Sequence, residues 1–395
     1  MGVYISVPFC RTKCTYCNFA SDVISRMVFE GYVNQLCGEI QNTFETTAKM
    51  EVRTESMVDS IYLGGGTPTV LEPAQLERIF ATVRSQFDVR ADAEITVECA
   101  PGTLSTSMLD CLLRCGVNRV SLGVQSFVDE EARAVGRLHN REIVFDDIAR
   151  LRSAGISNIN IDLIAGLPHQ APQSWEFSLA ETIRAGVPHV SVYMLEVDEE
   201  SRLGRELIAG GTRYHAHFVP DEHAVADFYL AACERLEVSG IAQYEISNFA
   251  REGCESRHNS KYWRRQPYLG FGLDAHSMLL STAPGIDAIR LARPDSLEDY
   301  MKGTSSLRAS PVSQQAALEE CFFLGLRLTR GVDLRNLAQT FGEAAISHAR
   351  AAVGELVADG LMAQRGNLAC LTAKGRLLSN EAFERFIMAN KSQIE

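Results

Sequence analysis

The chain has 395 residues, more than one compact core usually holds, so a large domain and a smaller one are expected. Its 46% apolar content is ordinary for a globular protein, and 50 acidic against 38 basic residues leave a formal charge of −12, which argues against nucleic acid or an anionic membrane as the main partner. No run approaches about 18 apolar residues, which excludes direct membrane insertion, and the first residues lack the basic and apolar regions of a signal peptide.

Residues 3–7 form a short β-branched run, and directly after it comes Cys10-Arg11-Thr12-Lys13-Cys14-Thr15-Tyr16-Cys17. Three thiols in so tight a loop suit a soft metal centre, and iron–sulfur clusters are held by cysteine thiolates in this way. Three ligands leave one iron of a four-iron cluster open to a small chelating ligand. A structural zinc site would need a fourth ligand, and the next cysteine, Cys37, lies far along the chain in a helical segment. A disulfide would leave one thiol over. Eleven cysteines, an odd number without a secretory signal, point to a reducing cytoplasm. Most of the others read as buried small hydrophobes, including Cys111 and Cys115 at helical spacing.

A strand-then-helix alternation follows. Strand-like runs fall at 3–7, 60–63, 94–99, 119–124, 158–163 and 189–197, with helical periodicity at 29–49, 73–87, 105–115, 142–154 and 174–185. Gly116, Gly155 and Gly186 sit where helices should end. Six such units predict an α/β fold, a parallel sheet curled as a closed or partial barrel with helices outside. Reactive groups in such folds occupy the C-terminal strand ends. The cysteine loop, Gly64-Gly65-Gly66-Thr67-Pro68-Thr69, Glu98, Gln125 and Asp162 all fall there, and together they predict a site. The glycine triplet allows close backbone approach, without the Gly-Lys-Ser/Thr of a phosphate loop.

Beyond residue 197 the pattern loosens. Residues 199–212 are polar with Gly204, Gly210 and Gly211, and Pro220-Asp221 opens a helix to about residue 237. His258, Tyr262, Trp263 and the adjacent bases suit either a clamp for a flat anionic aromatic ligand, with histidine as axial metal ligand, or an interface packed by aromatics and capped by arginines. The residues alone favour the interface. Residues 281–310 read as loop and linker. Helices are then expected at 316–328, 334–341 and 343–359, a hairpin at 366–372 and a last helix through Ile387, a winged-helix-like α+β pattern. Asp333, Glu343, Glu355 and Asp359 and the lack of a basic stripe favour docking or ligand covering over DNA. Three regions result: a barrel core at 1–198, a flanking region at 199–310 and a C-terminal domain at 311–395.

The three-cysteine loop and glycine triplet resemble the radical S-adenosylmethionine superfamily, and the resemblance covers nearly the whole chain. It implies a partial six-unit (β/α) barrel, a 4Fe-4S cluster on Cys10, Cys14 and Cys17, and S-adenosylmethionine on the open iron. More narrowly, Tyr4 before Val7-Pro8-Phe9-Cys10, the Gly64–Thr69 stretch, Gly123-Val124-Gln125-Ser126-Phe127, Gly136-Arg137-Leu138-His139 and Ile161-Asp162-Leu163-Ile164-Ala165-Gly166-Leu167-Pro168 are similar to the branch holding oxygen-independent coproporphyrinogen III oxidase and a haem chaperone. That branch's pattern implies that Tyr4, Tyr16, Gly65, Gly66, Thr67, Glu98, Gln125, Arg137 and Asp162 hold S-adenosylmethionine.

Two features separate the branch members. The oxidase has a further cysteine after the cluster motif and an N-terminal extension, whereas Cys17 here is followed by Asn18-Phe19 and the chain begins at the first strand. His258-Asn259-Ser260-Lys261-Tyr262-Trp263 matches the His-Asn-x-x-Tyr-Trp motif of the chaperones, which moves the reading of that segment to a haem clamp with His258 as axial ligand. The resemblance therefore implies a cytoplasmic chaperone that holds haem as cargo and passes it to haem-accepting proteins. The alternative is an enzyme decarboxylating coproporphyrinogen III. The sequence leaves a homodimer open and assigns no catalytic residue.

Overall fold

The computed structural model describes residues 1–303 and 307–387. Six parallel strands form its centre: β1 (Gly2–Val7), β2 (Met57–Gly65), β3 (Asp88–Cys99), β4 (Arg119–Gln125), β5 (Asn158–Ala165) and β6 (His189–Met194). Each pairs with the next in sequence, so the order is that of a barrel wall. The wall does not close. β6 pairs with β8 (Asn248–Ala250), which carries β7 (Ala242–Gln243), while β1 pairs on its far side with β9 (Tyr268–Phe271). β10 (His276–Leu280), β11 (Ile286–Ala292) and β12 (Arg308–Ser313) extend that side as an antiparallel meander, giving a 12-stranded sheet. The result is the partial barrel that the alternation predicts.

The strands obey a strict two-residue period. One face carries Val3, Ile5, Ile61, Leu63, Val97, Val120, Leu122, Ile159, Ile161 and Val190, all buried in the main core against the outer helices. The other carries Tyr4, Ser6, Ser60, Tyr62, Glu94, Thr96, Glu98, Arg119, Ser121, Asn160, Asp162, His189 and Ser191. Since successive strand side chains point to opposite faces, hydrocarbon packs outward and the lumen is lined by polar groups.

The outer helices start and stop on local signals. Ser105 caps Thr106–Arg114 and Asn140 caps Arg141–Ser153, each accepting from a backbone N–H of the first turn. Pro172–Ala185 opens on proline and ends on Gly186 at φ 63, and Gly116 and Gly155 likewise take positive φ (74 and 92) after their helices. The long helix expected over 29–49 is two, Phe29–Gln41 and Thr43–Ala48, with the break at Asn42. Residues 281–310 are not merely linker: they hold β11, the start of β12 and the helix Leu297–Met301. These strands lie at the sheet edge, where one-sided burial weakens the apolar pattern, and Pro311 sits on the edge strand, where a missing N–H is tolerated. The polar stretch after 199 contains a helix, Arg202–Ala209, capped by Ser201.

At the C-terminal end, helices Gln314–Gly325, Leu334–Phe341 and Glu343–Ala358 precede a hairpin of β14 (Met362–Arg365) and β15 (Leu368–Leu371), to which β13 (Val332–Asp333) adds a third strand. Phe322, Leu326, Ile346, Val353, Leu356, Leu371 and Phe386 give this unit its own core. Buried charges join it to the sheet: Arg265 donates to Asp287 at 2.6 Å and to Glu320 at 2.5 Å, and Arg290 donates to Glu320 at 2.8 Å. Two short helices, Ala373–Leu377 and Ser379–Glu384, end the described chain where one was expected. Among the described residues no helix is long and apolar enough to cross a membrane.

Candidate functional site

The cysteine loop leaves β1 at Val7 and is braced from several sides. Cys10 N–H donates to Asp22 O at 3.0 Å, Thr15 N–H to Val135 O at 3.2 Å and Thr12 Oγ1 to Gly136 O at 2.9 Å, while the Lys13 ammonium donates to the carbonyls of Phe19 and Ser21. The glycine turn after β2 supports it from below. Gly66 N–H donates to Val7 O and Thr67 N–H to Phe9 O, both at 2.8 Å. A methyl group on Gly66 would stand 2.7 Å from Phe9 O and 2.8 Å from Val7 O, so the bare glycine lets the turn press against the cysteine loop. Gly65, at φ 99, makes that turn.

Thr67 Oγ1 lies 3.9 Å from Cys10 Sγ and Ser21 Oγ lies 3.9 Å from Cys17 Sγ, so hydroxyl groups stand beside two of the three sulfurs. Burial pushes the Cys10 thiol up, against the pull of the Ser21 and Thr67 hydroxyls, and the nearby Cys17 and Cys14 sulfurs raise it further. The three sulfurs thus share one electrostatic neighbourhood. Among the described residues no three His, Cys, Asp or Glu side chains converge as they would on one ion. A cluster whose cysteines each bind a different iron needs no such convergence, whereas a zinc site does. Cys37 is buried in the main core on Phe29–Gln41, and Cys111 and Cys115 are core residues.

Above the loop the ends of β2 to β5 present a polar rim. Tyr62 Oη donates to Glu98 Oε1 at 2.8 Å, and Gly64 has no side chain to fill the space that the Glu98 carboxyl occupies. Burial raises the Glu98 carboxyl to about 7; the Tyr62 hydrogen bond opposes this and the Asp162 charge adds to it. Asp162 is raised by burial too, and is held by Ser121 Oγ at 3.0 Å and Asn160 Nδ2 at 2.7 Å. Arg137 crosses the rim and donates from Nη2 to Gly123 O at 2.5 Å. Tyr16 packs with Val135, Ile164 and Leu167, and burial pushes its phenol well up while Arg137 pulls it down. Tyr4 stacks on Tyr62 at 6.2 Å, its phenol raised by burial and by Glu98. Gln125 closes the rim at φ 71. Ser121, Asn160, Ser191 and Tyr62, which support these carboxylates, were missed in the sequence, although their two-residue alternation with the apolar face marks them.

His258 is elsewhere. The helix Arg257–Trp263 plugs the opposite, N-terminal end of the barrel, where Ser60 lies roughly 16 Å along β2 from Gly65. Glu94 accepts from Arg257 N at 3.0 Å and His258 N at 2.9 Å, an acidic group at a helix N-terminus. The imidazole is 1% exposed. Its Nδ1 bonds Ser60 Oγ at 3.0 Å and its Nε2 bonds Tyr262 Oη at 2.9 Å, so neither nitrogen is offered to a ligand. Burial, with Lys261 adding to it, lowers this histidine to about 3. Tyr262 packs edge-on against Tyr268 at 4.5 Å and Arg327 lies over the Trp263 ring at 4.4 Å. This is the aromatic, arginine-capped interface that the residues alone favoured, and in it both His258 nitrogens meet protein hydroxyls rather than an axial position on haem.

A profile of the radical SAM superfamily matches residues 4–181 and one of the HemN C-terminal domain matches 312–378. Over 392 residues the chain is 34% identical to the heme chaperone HemW of Bacillus subtilis, covering 98% of this chain and 99% of that one. The chain belongs to the HemW family of radical SAM proteins. The HemW of Lactococcus lactis is 32% identical, covering 98% of this chain and 97% of its own, and that of Escherichia coli is 29% identical, covering 98% of each. Among solved structures the fold is similar to coproporphyrinogen III oxidase (HemN) of Escherichia coli, with a TM-score of 0.81 at 25% identity, covering 98% of this chain and 89% of that one.

Membership of this superfamily implies a 4Fe-4S cluster and S-adenosylmethionine, and the residues present fit both. The cysteine loop supplies three sulfurs without a closed fourth ligand. At the rim Gln125 Oε1 and Arg137 Nε are buried with no partner among the described residues, one acceptor and one donor left for a polar ligand beside the Glu98 and Asp162 carboxyls.

Proposed function

We propose that this chain is a haem chaperone, holding haem as cargo and delivering it to haem-accepting proteins. The near full-length likeness to proteins named heme chaperone HemW carries this reading. In it Cys10, Cys14 and Cys17 hold the 4Fe-4S cluster, and Tyr4, Tyr16, Gly65, Gly66, Thr67, Glu98, Gln125, Arg137 and Asp162 surround S-adenosylmethionine. When bound, the cluster supplies single electrons to that ligand. The chain's own part is to bind and exclude water. Arg137 is placed to pair with the ligand carboxylate, backbone oxygens of the glycine turn accept from its ammonium, and a rim carboxylate takes a ribose hydroxyl. Eleven free cysteines support a cytoplasmic setting.

The HemN likeness favours one second reading, oxidative decarboxylation of coproporphyrinogen III. Against it, the Cys-x-Cys ending of that oxidase's cluster motif would put its further cysteine at position 19, where this chain has Phe19, its ring exposed. The deciding experiment is anaerobic turnover of the reconstituted chain with coproporphyrinogen III, S-adenosylmethionine and a strong reductant, followed by haem transfer to a haem-free acceptor protein. The chaperone reading expects unchanged porphyrinogen and a haem-loaded acceptor. Protoporphyrinogen over many turnovers would overturn it.

A further inference from the structure

With His258 sealed in the barrel plug, the haem of the proposed function needs another place, and the mouth of the barrel beside the cysteine loop provides one. Two cavities adjoin there, of about 500 and 580 Å³, and share Arg202, Arg213 and Tyr214. The first runs from Arg11 to Thr15 of the cysteine loop, past Arg133 and Leu138, to His215.

Its charge is unlike that of the molecule. On a chain of net −12, no carboxylate among the described residues pairs with Arg11, Arg133, Arg202 or Arg213. Arg11 and Arg202 reach only backbone carbonyls, Gly102 O and Lys13 O, each at 3.4 Å, and Arg213 lies over the Tyr214 ring at 5.3 Å. Among the described residues the one carboxylate lining either cavity, Glu206, is occupied by the N–H groups of Tyr214 at 2.7 Å and Ala216 at 3.2 Å. Two apolar side chains line the same mouth in the open, Val23 at 56% and Leu138 at 69% exposure. Unpaired guanidinium groups beside bare hydrocarbon suit a flat apolar molecule with carboxylates at its edge.

The histidine adds a metal ligand. His215 Nδ1 lies 3.1 Å from His169 Nε2, and among the described residues no hydrogen bond engages its Nε2. The loop holds the pair rigidly: His169 N–H donates to Phe218 O at 3.0 Å, Phe218 N–H to His215 O at 2.9 Å, and the His169 ring packs on Phe218 at 4.1 Å. One imidazole nitrogen fixed by a neighbour and the other left free is the arrangement that orients a metal-ligating histidine.

The geometry points to this groove as the haem site: His215 Nε2 ligates the iron, Arg133, Arg202 and Arg213 take the propionates, and Leu138 and Val23 meet the macrocycle. It rests on the chaperone reading. The test is titration of ferric haem, and separately of metal-free protoporphyrin IX, into the full reconstituted chain, followed by absorption and electron paramagnetic resonance. His215→Ala is expected to lose the wild-type coordination spectrum and bind haem about tenfold more weakly, with added imidazole restoring the spectrum and metal-free porphyrin bound as before. Arg133→Glu with Arg213→Glu is expected to weaken both porphyrins and leave the haem spectrum unchanged. His258→Ala is expected to keep the wild-type spectrum. A His215→Ala chain with wild-type spectrum and affinity would overturn the site alone. So would loss of the haem spectrum in a His258→Ala chain whose circular dichroism matches wild type. A wild-type chain that binds no haem would overturn the chaperone reading itself, and the site with it.

Discussion

Glu98 sits between two demands. As a ligand group at the rim it should be charged, yet burial holds its carboxyl at about 7 against a usual value of 4.5. Below about pH 4.5 the carboxyl is protonated folded or unfolded, and its burial costs nothing. As the pH rises, the unfolded chain releases the proton first while the folded chain keeps it, so stability falls until the folded group also ionises near 7. The loss is on the order of 3 kcal/mol. Glu98→Gln removes the slope. The variant is expected to unfold at a higher temperature than the parent at pH 8, with the two curves meeting near pH 4, and to bind S-adenosylmethionine more weakly. Paired thermal melts across that range and a ligand titration check it. Glu98 and Asp162 were legible as candidates because they lie in the C-terminal halves of their strands, near the end where a barrel places its chemistry, and the three cysteines because of their spacing in the loop after β1. Their supporting hydroxyls and amides were harder to see, since Ser121 or Asn160 taken singly reads as any satisfied interior group.

Two elements carry consequences out of proportion to their length. Gly66 lets the turn after β2 seat the cysteine loop, so Gly66→Ala must push backbone rather than a flexible side chain. It is expected to cost about 2 kcal/mol of stability and to lower iron incorporation on reconstitution, both read from one preparation by urea unfolding and iron analysis. At the other end the helix Arg257–Trp263 hangs on Glu94, which accepts two backbone N–H groups and faces the Ser256 hydroxyl at 3.5 Å. Glu94→Ala leaves the Arg257 and His258 N–H groups unpaired in a buried place while Ser256 still caps Asn259 N–H, an expected loss of about 2 kcal/mol in urea unfolding, with haem titration unchanged. The position of this helix could not be read locally. Its partners Ser60 and Glu94 lie 198 and 164 residues away in the chain, and the segment's aromatics and bases suit a clamp as well as a plug. The helix Arg202–Ala209 escaped notice for a simpler reason: Gly204 lies inside it, Gly210 and Gly211 follow it, and its Leu207 and Ile208 face solvent.

On the scale of the molecule, the alternation of apolar and polar residues was enough to give six parallel units, because every strand buries one face against a helix. It could not show where the wall stops, since β8 and β9 join its edges from distant parts of the chain. Those additions, with the Arg265, Asp287 and Glu320 charges, tie the C-terminal unit to the side of the barrel. The polar lumen sets a thermodynamic signature for what binds there. A ligand entering between Glu98, Asp162 and Arg137 displaces water from carboxylates, hydroxyls and amides rather than from hydrocarbon. Heat capacity falls when apolar surface is dried and rises when polar surface is, so S-adenosylmethionine should bind with favourable enthalpy and a heat-capacity change near zero or positive. A porphyrin seated on Val23 and Leu138 should show a clearly negative one. Calorimetry of each ligand at several temperatures would therefore tell the two compartments apart by their heat alone, and a strongly negative value for S-adenosylmethionine would mean that it does not meet this polar face.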